Sequence, residues 1–300
     1  MPSDHEESLL PLFWTDRYVN LHAPVHKILP IQVSDSNIAM FTYSELDILK
    51  SPGRATFGGF WPSETFGDID IGFALRAYKY FFSKFPEFNE VKVILPPQVF
   101  FPKVFASQIK ALMTFDVTRI IVDTNYHVDV QNWSKKNLSK GNRKKIRQFY
   151  ELGGIVSYSN VDNIKQCYEV LVENRKRRGV ALTMHYADFE SSLLLCGEDF
   201  KLIQAFLENQ IVAACYLVKI LPDYWYVLFW GELVNFRSLS PVASMFQFLI
   251  EEAQRNRVKF LDLGISSVEG VLDEGLARFK SNLGAMSSQK ITLSVNLIQD

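Results

Sequence analysis

Between Phe200 and Trp230 the chain passes through three apolar, β-branched and aromatic stretches separated only by short polar turns, and this segment restricts the fold more than any other. The stretches are Phe200 to Phe206, Ile211 to Val218 and Tyr224 to Trp230, and the turns are Glu208-Asn209-Gln210 and Pro222-Asp223. Runs of that length joined so tightly read as a three-strand meander. A strongly apolar helix, Pro241 to Asn256, follows, and then a short strand, Phe260-Leu261-Asp262-Leu263-Gly264. Upstream, Gly153-Gly154 precedes a strand at Ile155 to Tyr158, and helices are expected over Asn163 to Arg177 and Ala187 to Leu195. The order is helices, meander, helix, strand.

The first half is a second α/β unit. Ile28 to Ser34 and Asn37 to Tyr43 read as paired strands around an Asp35-Ser36 turn, and Arg54 to Phe60 as a third strand or its edge. Helical spacing from Asp68 to Lys84 ends at Pro86, and a buried strand resumes at Val91 to Leu95. Pro102 to Met113 gives another helix and Val117 to Val122 another strand, with no glycine-rich phosphate loop among them. Two domains are expected, residues 1–132 and 133–300, and 300 residues with 48% hydrophobic content suffice for two cores.

Charge and cysteine usage narrow the function. Thirty-two basic residues against thirty-three acidic ones give a formal charge of −1, which supplies no general attraction for nucleic acid. The acidic start of the chain lacks the pattern of a signal peptide and no run is long and apolar enough to span a bilayer, so a cytoplasmic location is expected. Cys167, Cys196 and Cys215 are scattered through apolar stretches and read as packing residues. His22 and His26 are four apart, but Pro24 interrupts any helix between them, and no metal site is expected.

The last forty residues carry Gly275-Leu276-Ala277-Arg278-Phe279-Lys280-Ser281-Asn282-Leu283-Gly284-Ala285, just beyond the strand at Phe260. With the helix before it, this stretch resembles the closing segment of the FemABX-type peptidoglycan aminoacyltransferases and of their shorter FemAB-like or BioF2-like relatives in the GNAT superfamily of acyltransferases. The resemblance implies an α/β (α+β) fold of tandem GNAT-like domains, each a mixed, mostly antiparallel sheet flanked by helices. It also implies an N-acyltransferase moving an acyl group, by expectation from acyl-CoA, to an amine of a small molecule or cell-envelope precursor. The alternatives are a FemX-type aminoacyl-tRNA-dependent transferase and a non-catalytic GNAT-like binding module. Acyl-CoA is favoured over tRNA because the chain has no room between Tyr158 and Phe200 for the helical arm of the longer enzymes.

In the resembling family the Phe-Lys pair lies at the transfer site, which places Phe279 beside the substrate and Lys280 against the developing oxyanion. Asp262 is expected to orient Lys280 or to hold the amine, and Glu232 and Glu269 are the candidate proton acceptors. Before the helix at Pro241, Ser240 is a favourable N-cap and Pro241 a favourable first residue, so Arg237, Ser238 and Ser240 are the expected pyrophosphate contacts. A simple cap explains Ser240 as well, and the glycine loop usual in coenzyme-A-using GNAT enzymes is missing from Val234 to Ser240. The basic run from Lys135 to Arg147 resembles the opening of the second FemABX domain and contributes Arg143 and Arg147 as substrate contacts, although a solvated helix face accounts for most of its lysines. Arg178 beside Gly179 is a further candidate, and Arg54 and Trp61 are expected to line the acceptor side.

Overall fold

A computed structural model describes residues 10–34, 37–62 and 70–298. It divides into two compact units: the first contains residues 1–125, 265–272 and 288–300, the second residues 126–264 and 273–287. The first change of unit falls seven residues before the expected boundary at 132/133, and two later segments return to the first unit. The fold is mixed α/β throughout.

In the first unit, α1 (Asp16–His22) precedes strands β1 (Lys27–Gln32), β2 (Ile38–Glu45), β3 (Leu49–Ser51) and β4 (Gly59–Pro62). Then come α2 (Ile71–Phe82), β5 (Glu90–Ile94), α3 (Pro102–Leu112) and the start of β6 (Val117–Asp129). β1 and β2 pair, as expected, and do so antiparallel with Ile28 opposite Thr42; the Asp35-Ser36 turn lies outside the described residues. The strand expected at Arg54 to Phe60 begins only at Gly59. β3, too short to show a pattern, joins β2 antiparallel and β5 parallel. Asp70 caps α2 by accepting the Phe73 N–H at 2.6 Å. The apolar faces of α2 and α3 cover one face of this sheet, where Phe81 stacks on Phe41 with centroids 4.2 Å apart.

The second unit takes the end of β6, α4 (Lys140–Glu151), β7 (Ile155–Tyr158), α5 (Ile164–Arg177) and α6 (Tyr186–Leu195). The meander follows as β8 (Phe200–Leu207), β9 (Gln210–Leu221) and β10 (Tyr224–Glu232), then α7 (Pro241–Arg255) and β11 (Phe260–Ile265). A hairpin of the first unit, β12 (Ser267–Val268) and β13 (Val271–Leu272), separates β11 from α8 (Glu274–Ser281) and β14 (Met286–Asn296). Strand order in the second unit is β11-β10-β9-β8-β7, parallel between β10 and β11 and antiparallel elsewhere. Glu208 and Asn209 both have positive φ, the conformation of a two-residue turn matched to strand twist. α4 and α7 pack into one core with Ile203, Leu217 and Trp225. Cys167, Cys196 and Cys215 are free and buried.

Candidate functional site

The parallel register of β10 with β11 covers only Tyr224 to Tyr226, opposite Phe260 to Asp262. β10 then continues to Glu232 paired with β9, and a bulge between Val227 and Phe229 turns its end. Beyond this parting lies a cavity of about 430 Å³ within the second unit. Trp230, Gly231 and Glu232 form part of its wall, and Ser240 and Val242 bring the start of α7 to it. The ends of α5 and α8 close it with Arg177, Arg178, Arg278 and Phe279, and α4 adds Lys145. Gly231 is required here, because a Cβ would lie 2.7 Å from the Asn174 side chain.

The cavity is electropositive. Lys145, Arg177, Arg178, Arg237 and Arg278 line it against two carboxylates, Glu232 and Asp273. Asp273 caps α8 by accepting the Leu276 N–H at 2.9 Å, and it pairs with Arg178 at 2.9 Å. That backbone hydrogen bond is the main reason its carboxyl sits below the usual range. Burial pushes Glu232 up to about 7, against the hydrogen bond from Val242 N and the attraction of Arg237, Lys145 and Arg177.

The start of α7 differs from its expected form. Ser240 has φ 49° and its side chain makes no capping hydrogen bond. Pro241 has no N–H to give, the Ala243 N–H goes to the Ser240 carbonyl at 2.9 Å, and the Val242 N–H reaches Glu232 Oε2 at 3.3 Å. A residue from the neighbouring strand end, Glu232, thus does what local sequence assigns to Ser240.

Lys280 and Asp262 do not line the cavity and are buried, each only 1% exposed. Lys280 Nζ donates to the Gly264 carbonyl at 2.8 Å and lies 5.8 Å from the Tyr126 ring centroid. Burial lowers its pKa to about 7; the nearby Asp262 charge opposes this, while Arg178 and Arg175 reinforce it. Asp262 accepts from Tyr224 Oη at 2.7 Å and from the Gly264 N–H at 2.8 Å. Gly264 has φ 75°, and a Cβ there would meet Tyr226 Oη at 3.2 Å.

Of the residues singled out by sequence, the cavity gathers Glu232, Arg237, Ser240, Arg178 and Phe279. Ser238 is exposed on the preceding turn and does not line it. Arg143 donates to the Lys136 and Leu138 carbonyls at 3.2 and 2.6 Å, and Arg147 pairs with Glu151 at 3.5 Å on the helix surface. Arg54 and Trp61 belong to the first unit. The Arg54 backbone N–H donates to His26 Nδ1 at 3.2 Å, and Trp61 is a core residue with its ring centroid 5.0 Å from that of Phe101. Glu269 sits in the β12–β13 turn, paired with Arg119 at 2.6 Å.

Sequence reasoning missed Lys145, Arg177 and Arg278. For Lys145 a signal existed, since it lies three residues after Asn142 and one before Ile146, both buried, whereas Arg143 and Arg147 face outward. Among the described residues no group of three or more His, Cys, Asp or Glu side chains could hold a metal ion, and no helix is long and apolar enough to cross a membrane.

No family model and no curated protein matches the chain. Solved structures do match in fold. A crystal structure of FemX superposes with a TM-score of 0.68 at 12% identity, covering 98% of this chain and 96% of that one. L-PGS from Bacillus licheniformis gives 0.56 at 12% identity over 89% and 83% of the two chains. A tandem GNAT protein from the clavulanic acid biosynthesis pathway gives 0.54 at 10% identity over 95% and 87%. The chain therefore has a tandem GNAT-like fold of the FemX kind.

Proposed function

We propose that the protein is an N-acyltransferase whose second unit takes a phosphate-bearing acyl donor and passes the acyl group to an amine. The observation that carries this reading is the cavity where β10 parts from β11, which joins five cations and the first N–H of α7. Several cations around a space of this size suit phosphates, which they bind through charge-assisted hydrogen bonds. The proposed donor is an acyl-CoA.

In the transfer, the amine nitrogen attacks the acyl carbonyl carbon and the carbonyl oxygen becomes an oxyanion. The bond to the donor's sulfur or oxygen then breaks as the amide forms, and the proton lost by the amine passes, directly or through solvent, to the departing thiolate or alkoxide. A fixed cation beside the oxyanion lowers the barrier, and removing one such donor typically costs about 3 kcal/mol. Lys280 is assigned that role as the residue that follows the lining Phe279 on α8, although its own Nζ is buried on the Gly264 carbonyl. Asp262, held by Tyr224 and Gly264, supports the ammonium form of Lys280. Phe279 and Trp230, with centroids 5.6 Å apart, provide an apolar stretch of wall for the acyl group.

The same five cations also suit the 3′ end of an aminoacylated tRNA, which makes it the second donor class. The acceptor is proposed to be a small-molecule or cell-envelope amine. The test is a screen of amines with acetyl-CoA and longer acyl-CoAs, following free thiol release and amide formation by mass spectrometry. Amide formed by the wild type but not by Lys280→Ala supports the reading. Absence of both thiol release and coenzyme A binding sinks the acyl-CoA donor, and the aminoacyl ester is then assayed in the same way.

A further inference from the structure

The carboxylate of Glu232 meets the start of α7 at the cavity wall. Pro241 cannot donate and the Ala243 N–H is already used, so the Val242 N–H is the first one α7 offers, and Glu232 Oε2 accepts it at 3.3 Å. The groups that face this carboxylate come from every element around it. They are Lys145 of α4, Arg177 of α5 and Arg237 of the turn before α7. Arg178, Arg278 and Asp273 share the cavity, and the Asn174 amide holds the Glu232 backbone carbonyl at 3.1 Å. A ligand-free cavity with this many cations is costly through mutual repulsion, and an internal carboxylate offsets that cost.

We propose that Glu232 is an internal anion that occupies the phosphate position at the start of α7, and that a phosphate-bearing donor enters as Glu232 takes up a proton. The proposal rests on the reading that the cavity binds such a donor. A phosphate within a few ångströms of a carboxylate repels its charge, so the complex favours neutral Glu232. The proton comes from solvent and resides on the carboxyl group while the donor is bound. Glu232 then acts as a positioning and selectivity residue in place of the proton-acceptor role expected from sequence. It raises the pH sensitivity of donor binding and withdraws the α7 N–H from weaker anions.

The sign of the effect follows from a free-state pKa near 7. Below that value Glu232 is already neutral and donor affinity does not depend on it. Above it, each pH unit makes the proton ten times harder to supply, so affinity falls by up to about tenfold per unit.

The experiment is calorimetric titration of wild type and Glu232→Gln with coenzyme A and with inorganic pyrophosphate at pH 6, 7, 8 and 9. Each titration is run in two buffers of different ionisation enthalpy, which counts the protons taken up. Comparison of the two proteins cancels the ionisation of the probes themselves. Expected for the wild type at pH 8 is uptake of close to one more proton than the variant shows, and affinity about tenfold weaker than that of Glu232→Gln. At pH 6 the two should agree within about threefold. Equal affinity and equal proton uptake at pH 8 overturn the proposal while leaving a phosphate site in place. Tighter pyrophosphate binding by the variant with no coenzyme A binding keeps the internal anion and removes the acyl-CoA donor. No binding of either probe by either protein at any pH overturns both. Should the variant not fold, Glu232→Ser takes its place, and proton uptake by the wild type equal to that of Glu232→Ser at pH 8 overturns the proposal.

Discussion

Lys280 reaches back sixteen residues to Gly264, its Nζ donating to the glycine carbonyl at 2.8 Å. The contact ties the last turn of α8 to the end of β11, the strand that β10 leaves as it heads for the cavity. Gly264 is also bound through its N–H by Asp262, so one residue connects the buried cation and the buried carboxylate.

If the ammonium of Lys280 is the group that stabilises the oxyanion, its pKa of about 7 sets the pH dependence of turnover. The cation is present below that value and is lost above it. At saturating donor, kcat is expected to fall by up to about tenfold per pH unit above 7. Lys280→Met should lower kcat by about 100-fold or more while changing donor affinity less than threefold. Initial rates across pH, paired with calorimetric binding, check both, and a variant with full turnover excludes Lys280 from the chemistry.

The two glycines of the site are expected to resist substitution for different reasons. Gly231→Ala places a methyl group 2.7 Å from Asn174, and Gly264→Ala combines a positive φ with a contact at 3.2 Å to Tyr226 Oη. Each should destabilise the protein by about 1–3 kcal/mol. Urea denaturation of the purified variants measures this, and a loss below about 0.5 kcal/mol in either would show that the local packing gives way freely.

His26 predicts an acid limit for the first unit. Its Nε2 meets the Phe13 carbonyl at 2.8 Å and its Nδ1 accepts the Arg54 N–H, so the folded state needs the neutral ring. Burial lowers the pKa to about 4 from 6.5. The unfolded chain binds the proton first as pH drops, so this stability is complete above pH 6.5 and lost progressively towards pH 4, by up to about 3 kcal/mol. Denaturation at pH 7, 5.5 and 4.5 tests it, with His26→Gln expected to flatten the dependence.

Three arginines separate surface charge from site charge. Arg147→Ala removes an exposed ion pair with Glu151 and should change stability by less than about 0.5 kcal/mol. Arg143→Ala frees two loop carbonyls before α4 and should cost about 1 kcal/mol or more. Arg178→Ala, at the cavity, should weaken coenzyme A or pyrophosphate binding about tenfold with little effect on melting temperature. Binding weakened most by Arg147→Ala would place the anion on the outer face of α4 instead.

Much of the second unit was legible because its signals are local. Alternating burial along β8, the two-residue turn at Glu208-Asn209 and the apolar face of α7 each depend on residues close in sequence. The cavity was legible in part, through Glu232, Arg237, Arg178 and Phe279, because those positions sit at element ends where side chains are free to converge. The resemblance of the basic run points to Arg143 and Arg147, whereas the helical phase of α4 brings Lys145 to the cavity.

The sequence by itself determined the meander of β8, β9 and β10, the β1–β2 pair and the longer helices α2, α3, α5 and α7, since hydrophobic period and turn chemistry act over a few residues. The tertiary structure alone decided that β14, whose first half is polar, pairs with β5 nearly two hundred residues away, and that residues 265–272 and 288–300 join the first unit. It also decided that Glu232, not Ser240, meets the first N–H of α7. Those outcomes depend on which distant surfaces bury one another and on where a bulged strand end points, and neither quantity is carried by residues adjacent in the chain.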